Sequence, residues 1–125
     1  MIKLMKLHHV SFASKDLSAS RAFFGGVLGL QEIERPSFGF SGAWYQLGDQ
    51  QLHIIENRDE ESSAASRLGR SDHVALQVAD VDAVRTALQN HGIAFQEGGN
   101  RHLGMEQIFC RDPDRHVLEF VRYYP

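Results

Sequence analysis

Two stretches of this chain, HVSFASKD at positions 9–16 and HVALQVAD at positions 73–80, follow one pattern. In each, a histidine opens a short apolar run and an aspartate follows seven positions later. The alternation of side chains in both stretches predicts a β-strand, and the aspartate is suited to cap a helix. A pattern that recurs at a spacing of 64 residues indicates two copies of one structural unit.

A helix is predicted after each aspartate. The second copy has an apolar stripe at helical spacing between Asp80 and a stop signal at Gly92. The first copy has a similar stripe, but Gly25 and Gly26 interrupt it and each weakens the helix by roughly 1 kcal/mol. The stripes consist of Val81, Val84 and Leu88 in the second copy and of Leu17, Phe24 and Leu28 in the first.

After each helix, the spacing of apolar residues changes from the helical repeat to the two-residue alternation of β-strands. Three strands are predicted per copy, at 30–36, 42–48 and 51–56 in the first and at 93–99, 105–112 and 116–124 in the second. Each copy therefore reads βαβββ, which predicts an α+β fold. We expect a single domain over 1–125, with module one at about 7–56, a polar linker at about 57–70 and module two at about 71–123.

The composition excludes several classes of protein. Hydrophobic residues make up 42% of the 125 and charged residues 23%, which is typical of a globular chain. A net charge of −3 with scattered basic residues gives no sign of a nucleic-acid partner. A single cysteine, Cys110, fits a reducing compartment, and no stretch resembles a signal peptide or a membrane span. The sequence therefore predicts a cytoplasmic protein without membrane contact.

Four side chains at equivalent positions of the two copies could bind a metal. His9 and His73 lie on the more polar face of their strands. His53 and Glu119 each come five residues after the preceding turn, in the middle of an apolar last strand, where a carboxylate is costly unless it is paired or bound to metal. Three imidazoles and one carboxylate suit one divalent ion of Ni, Zn, Fe, Mn or Co.

Simpler interpretations stay open for these residues. A single histidine on a strand is more often a hydrogen-bonded structural residue than a ligand, and Glu119 could pair with Arg111 or Arg122 at a sheet edge. We expect Cys110 to be no catalytic thiol, since the sequence gives it no base. The remaining histidines, His8, His91 and His116, are expected to be surface or packing residues.

The sequence resembles the vicinal-oxygen-chelate superfamily, which includes glyoxalase I, extradiol dioxygenases, and fosfomycin and bleomycin resistance proteins. The resemblance covers nearly the whole chain and rests on the segments 7–30, 72–80 and DPDRHVLEF at 112–120. It implies that the two βαβββ modules form a U-shaped mixed sheet around a central cleft. It also implies a metal held by His9, His53, His73 and Glu119, and a homodimer.

The resemblance favours a metal-dependent lyase or isomerase similar to glyoxalase I. Its metal would chelate vicinal oxygens of a small substrate, and Glu119 would carry a proton through an enediolate as general base and then acid. Glyoxalase I usually has glutamate in place of His53, so one of its two carboxylates is missing here. The expected substrate pocket consists of Phe38, Phe40, Trp44, Gln77, His102, Gln107 and Phe109, although the first three could also be ordinary core.

Two alternatives remain open. One is an Fe(II) ring-cleaving dioxygenase that uses His73, Glu119 and either His9 or His53. The other is a non-catalytic small-molecule binding protein of the same fold. Phosphonate recognition of the fosfomycin kind is disfavoured, because the penultimate strand offers Gln107 and Phe109 instead of tyrosine and small hydroxyl residues. The turn at 112–115 departs from the family that the sequence resembles, which has DPDG where this chain has DPDR. Arg115 is therefore expected at a positive φ angle, which costs roughly 1 kcal/mol for a residue other than glycine.

Overall fold

The computed structural model describes residues 1, 3, 5–58 and 73–125 and divides into two compact units, Met1–Glu61 and Ser62–Pro125. Both units hold the same order of elements, a strand, a helix and three further strands. The βαβββ repeat and the α+β class are therefore confirmed. Most of the linker predicted at 57–70 lies outside the described residues.

Module one is a four-stranded mixed sheet with one helix. The elements are β1 (His9–Ser14), α1 (Leu17–Arg21), a π-helical turn (Ala22–Val27), β2 (Gln31–Ile33), β3 (Gly42–Leu47) and β4 (Gln50–Glu56). Strands β1 and β4 run parallel, while β4, β3 and β2 are antiparallel neighbours in the order β1-β4-β3-β2. Strand β2 is shorter than the predicted 30–36 and forms the sheet edge.

The first helix behaves as its sequence predicts. The Asp16 side chain accepts a hydrogen bond from the Ala19 backbone N–H at 3.3 Å and caps the helix. The regular α-helix ends at Arg21, and the chain continues as a wider π-helical turn through Gly25 and Gly26. Two consecutive glycines weaken a regular helix because they lose the most backbone entropy on folding.

The core of module one lies between α1 and one face of the sheet. Phe24 is fully buried there and its ring centroid lies 6.2 Å from that of Phe12 and 6.1 Å from that of Tyr45. Leu52 and Ile54 of β4 point to the same side and are fully buried. Because side chains alternate along a strand, the residues between them lie on the opposite face of the sheet.

Module two repeats the same topology. Its elements are β5 (Val74–Gln77), α2 (Val81–Asn90), β6 (Phe95–Asn100), a 3-10 turn (Arg101–Leu103), β7 (Met105–Arg111) and β8 (Val117–Tyr123). The strand order is β5-β8-β7-β6, with a parallel β5–β8 pair. Asp80 caps α2 by accepting from the Asp82 N–H at 2.9 Å, and Gly92 follows the helix with φ of 65°. Leu88, Ile108 and Leu118 are fully buried between α2 and the sheet.

The turn between β7 and β8 carries the strain expected from its sequence. Arg115 has a φ of 72°, the left-handed conformation that favours glycine. The buried Asp112 holds this turn, because its Oδ1 accepts hydrogen bonds from the backbone N–H groups of Asp114 and His116. Its Oδ2 lies 2.8 Å from His116 Nδ1, so His116 is a turn-stabilising residue.

The two helices are short. Over the described ranges, neither has the length and apolar character that a membrane-spanning helix requires.

Candidate functional site

The face of module one opposite α1 holds the side chains that the sequence singles out. The register places His53 of β4 between Ser11 of β1 and Trp44 of β3. His9 lies two residues before Ser11 and therefore shares this face. His53 is only 7% exposed, although it is a polar residue in a strand flanked by Leu52 and Ile54.

His53 is sandwiched between two aromatic rings. The centroid of the Trp44 ring lies 4.1 Å from that of His53 with an interplanar angle of 3°. The His9 ring covers the other side at 4.1 Å and 17°. His9 is in turn anchored by its neighbour, since His8 Nδ1 and His9 Nδ1 lie 2.9 Å apart and one of them donates to the other. His8 is therefore an exposed partner of this stack.

The environment keeps the His53 ring neutral near pH 7. Burial lowers the pKa of His53 first, and the positive charges of His9, His8 and Arg35 lower it further. The Nε2 atom lies 2.8 Å from Oε1 of Gln51 and donates a hydrogen bond to it. In a neutral imidazole this leaves the lone pair on Nδ1. Gln51 thus fixes the tautomer of His53, a role that sequence patterns gave no reason to assign.

Phe38 and Phe40 lie beside the stack, in the connection between β2 and β3. Their ring centroids are 5.7 Å apart, and the Phe38 centroid lies 5.9 Å from that of Trp44. Both phenylalanines are about half exposed, at 49% and 51%, so they are not ordinary core. The structure therefore brings Phe38, Phe40 and Trp44 together.

The face of module two opposite α2 carries Glu119. Its carboxylate is 6% exposed, and its Oε1 lies 3.2 Å from Nε2 of His73, the residue directly before β5. The register places Glu119 between Ala75 of β5 and Phe109 of β7. His73 and Phe109 are themselves in edge-to-face contact, with ring centroids 6.2 Å apart. Glu119, His73 and Phe109 therefore form one cluster.

Arg122 and Arg111, the two arginines suggested as sheet-edge partners of Glu119, make other contacts. Arg122 extends from the other face of β8 and donates to the Ala79 carbonyl oxygen at 2.7 Å. Arg111 donates to the Arg115 carbonyl oxygen at 2.9 Å. The side chain that faces the Glu119 carboxylate is that of His73.

The other pocket residues predicted in module two are placed as follows. Gln77 and Gln107 both neighbour Val121 of β8, on the face that holds Glu119. His102 is exposed in the 3-10 turn between β6 and β7, and the described residues include no contact between it and Glu119 or Phe109. The structure groups Gln77 and Gln107 with the Glu119 face and leaves His102 apart.

The donor atoms present fit a metal ion to different degrees in the two modules. His73 Nε2 and Glu119 Oε1, 3.2 Å apart, are spaced like two adjacent ligands of one ion. His9 and His53 are not, because ring nitrogens direct their lone pairs in the ring plane, and two nearly parallel rings 4.1 Å apart do not converge on one atom. His9, which is exposed, must rotate before both can bind one ion. Within the described part of the chain no three His, Cys, Asp or Glu side chains are already grouped for a metal.

Cys110 plays no part in these clusters. It is fully buried in β7, and burial raises the pKa of its thiol to about 12. A thiol of this kind is not a nucleophile near pH 7.

The family model described as the glyoxalase/bleomycin resistance protein/dioxygenase superfamily matches residues 6–120. The chain belongs to this superfamily. Its members include lyases, isomerases, dioxygenases and resistance proteins, and they commonly use a divalent metal. The superfamily expected from the sequence is thereby confirmed.

The chain is similar to two relatives in sequence and to one solved structure in fold. Glyoxylase I 4 of Arabidopsis thaliana is 28% identical over 126 residues, covering 94% of this chain and 71% of the relative. Mitochondrial methylmalonyl-CoA epimerase of Bos taurus is 28% identical over 87 residues, covering 63% of this chain and 50% of the epimerase. A glyoxalase family protein of Bacillus anthracis has a TM-score of 0.82 at 24% identity, covering 98% of both chains.

Proposed function

We propose that the protein is a divalent-metal-dependent lyase or isomerase of glyoxalase I type. Its substrate is a small molecule with two vicinal oxygens, and its reaction moves a proton at a carbon next to them. The named activities of the two relatives support this class. The name of Glyoxylase I 4 matches the reaction type proposed for this chain. The name of the second relative is that of an epimerase, which inverts the configuration at one carbon.

The observation that carries the proposal is the Glu119–His73 pair. A carboxylate that is 6% exposed in an apolar strand is unfavourable unless its charge is compensated. The Nε2 atom of His73 lies 3.2 Å from Oε1, so an imidazole faces the carboxylate. The face opposite α2 therefore presents a buried carboxylate beside an imidazole.

We propose that His9, His53, His73 and Glu119 hold the metal. The ion would act as a Lewis acid that polarises the vicinal oxygens and makes the neighbouring C–H more acidic. His53 suits this role because it is neutral and has a free lone pair on Nδ1. His9 joins it only after turning out of its stack.

Glu119 would act as the base. Its carboxylate takes a proton from the substrate carbon and returns it to the adjacent carbon, so that no net proton is consumed. The rings of Phe109 beside Glu119 and of Trp44 beside His53 restrict access of water to these groups. The proposed substrate contacts are Phe38, Phe40, Trp44, Gln77, Gln107 and Phe109, with His102 the least supported because it lies apart.

The proposal includes the homodimer that the family resemblance implies. In the family that the sequence resembles, small chains commonly pair modules between copies, so ligands from two chains could complete one site. Light scattering on the purified protein tests this part, and a mass of one chain at micromolar concentration would contradict it.

The test of the function is the turnover of hemithioacetals by the metal-loaded protein. We expect product from methylglyoxal combined with glutathione or with another small thiol. Glu119→Gln should lower kcat by roughly 100- to 10,000-fold while the metal content falls by less. Glu97→Gln, an exposed carboxylate of β6 in the same module, serves as the matched control and should keep full activity.

Two results would contradict the proposal. The first is a metal-loaded Glu119→Gln protein that turns over hemithioacetals as fast as wild type. The second is an iron-loaded wild type that consumes oxygen with catechols and leaves hemithioacetals unchanged, which would favour the dioxygenase.

A further inference from the structure

Arg35 lies on the face of module one that holds the histidine stack. The ideal position of a Cβ on Gly42 would be 2.9 Å from Arg35 Nε and 3.1 Å from its Cζ, so the guanidinium lies directly over this glycine. Gly42 is two residues before Trp44 on β3 and shares its face. The absence of a side chain at Gly42 therefore creates the space that Arg35 occupies beside Trp44.

The guanidinium of Arg35 also contacts two exposed rings. Its Cζ lies 5.0 Å from the ring centroid of Phe38 and 4.9 Å from that of Phe40. Contacts of this kind hold the plane of the guanidinium in place while its edge stays available for hydrogen bonds. Arg35, Phe38 and Phe40 form what we call the arginine–aromatic cluster.

Arg35 has no anionic partner among the described residues, and its Nε is buried without a hydrogen-bond acceptor. Four other described arginines form ion pairs with carboxylates. The pairs are Arg21 with Glu32, Arg58 with Glu56, Arg85 with Asp82 and Glu97, and Arg101 with Glu106. Arg35 differs from these four because its guanidinium lies against two exposed rings without a carboxylate partner among the described residues, an arrangement suited to an external anion.

We propose that the arginine–aromatic cluster binds an oxyanion, above all a carboxylate, carried on a flat unsaturated or aromatic group. Because Nε is buried, the edge formed by Nη1 and Nη2 is the one that can bind a carboxylate in bidentate fashion. Phe38 and Phe40 offer half-exposed faces to the flat part of the same ligand.

This inference rests on the proposed function in one respect, which is that the bound ligand is taken to be the substrate. Trp44 links the cluster to His53, since Phe38 lies 5.9 Å and His53 4.1 Å from the Trp44 ring. A ligand held by Arg35 would thus extend toward the proposed ligand His53. The substrate class becomes a planar anionic compound with vicinal oxygens, and Arg35 becomes a residue that determines specificity.

The test follows ligand binding and needs no turnover. Trp44 is the single tryptophan, so its indole N–H gives one assignable resonance in a ¹H–¹⁵N spectrum. We would titrate the purified protein with benzoate, with the neutral isostere benzamide and with the non-planar cyclohexanecarboxylate. Benzoate should shift this resonance saturably and bind about tenfold or more tightly than either analogue.

Variants separate the charge of Arg35 from its position. Arg35→Met should lose the preference for benzoate over benzamide, and Arg35→Lys should recover only part of it because lysine lacks the planar fork. Arg21→Met is the matched control. It removes the same charge from the α1 side of the same sheet, where Arg21 pairs with Glu32, and should bind benzoate like wild type. Thermal melting of each variant checks that it is folded.

The inference is overturned if benzoate and benzamide bind wild type equally, if benzoate does not bind, or if folded Arg35→Met binds benzoate like wild type. Repeating the titration in EDTA separates binding at Arg35 from ligation of a metal. Metal-free protein that keeps the benzoate preference would retain this inference even if the proposed enzymatic function failed.

Discussion

His53 of β4 and Glu119 of β8 occupy the same position in the two modules. Each lies opposite a small residue of the parallel neighbouring strand, Ser11 for His53 and Ala75 for Glu119, and those two are 64 residues apart. Both side chains are almost fully buried, at 7% and 6% exposed. Each module thus has a side chain that can bind a metal at the equivalent buried position, and the proposed function rests on this equivalence.

Removing the Trp44 ring should raise the pKa of His53. Burial is the largest cause of the lowered pKa, and the indole covers one full side of the imidazole. In metal-free protein, an NMR titration of the His53 Cε1–H should give a higher midpoint in Trp44→Leu than in wild type. Trp44→Phe, which keeps an aromatic cover, should change it less. Identical midpoints in wild type and Trp44→Leu would show that the stack does not set this pKa.

The stability of the metal-free protein should depend on pH through His53. Its folded pKa lies below the ordinary value of 6.5, so the unfolded chain binds the proton more tightly. The contribution of His53 is therefore fully present above about pH 6.5 and is lost as the pH falls through the folded pKa. Urea unfolding at several pH values should show that the free energy of unfolding falls less at acid pH in His53→Gln than in wild type. His91→Gln, at the exposed end of α2, is the control for replacing a histidine with glutamine elsewhere in the chain.

Cys110 should be unreactive until the protein unfolds. With a thiol pKa of about 12 in place of 9.0, the folded chain holds roughly 1,000-fold less thiolate at pH 8. Labelling by a disulfide reagent should be slower than in urea by at least that factor. Above about pH 9 the unfolded thiol ionises first, so stability should fall with rising pH, and Cys110→Ala should lessen that fall. Rapid labelling of the native chain would contradict the burial.

Arg115→Gly should stabilise the protein. The left-handed backbone at Arg115 is strained for any residue with a Cβ, and glycine relieves this at the expense of greater freedom in the unfolded chain. We expect a net gain of roughly 0.5 kcal/mol in the free energy of unfolding, measured with urea. Arg115→Ala keeps the Cβ and should give no such gain. Equal stability of the two variants would show that the turn is not strained.

The sequence predicts the repeat well because each copy combines an aspartate cap, a helix stop and alternating strands that support one another. Asp80 and Gly92 delimit α2 as expected, and the fully buried Leu88 lies on its predicted stripe. The sheet faces on which His9 and Glu119 lie also follow directly from the alternation of side chains along a strand. The least accurate element is β2, an edge strand whose three residues are held by one neighbour alone.

The contacts of the candidate site lie beyond what alternation can predict. The stacking of His9 on His53 depends on side-chain rotamers, which residue spacing does not determine. The roles of Gln51 and Arg35 were missed for the same reason, since neither belongs to a recognisable motif. For Arg35 a signal did exist, because an arginine close to Phe38 and Phe40 in one short connection is a candidate for stacking.

The most direct measurement of the central claim is the metal content of protein purified without chelators. Elemental analysis should find about one divalent ion of Ni, Zn, Fe, Mn or Co per proposed site in wild type. His53→Ala and Glu119→Ala, which truncate equivalent positions of the two modules, should both lower this content, whereas His91→Ala should not. A metal-free wild type that no divalent ion reconstitutes, or full metal content in both site variants, would contradict the account.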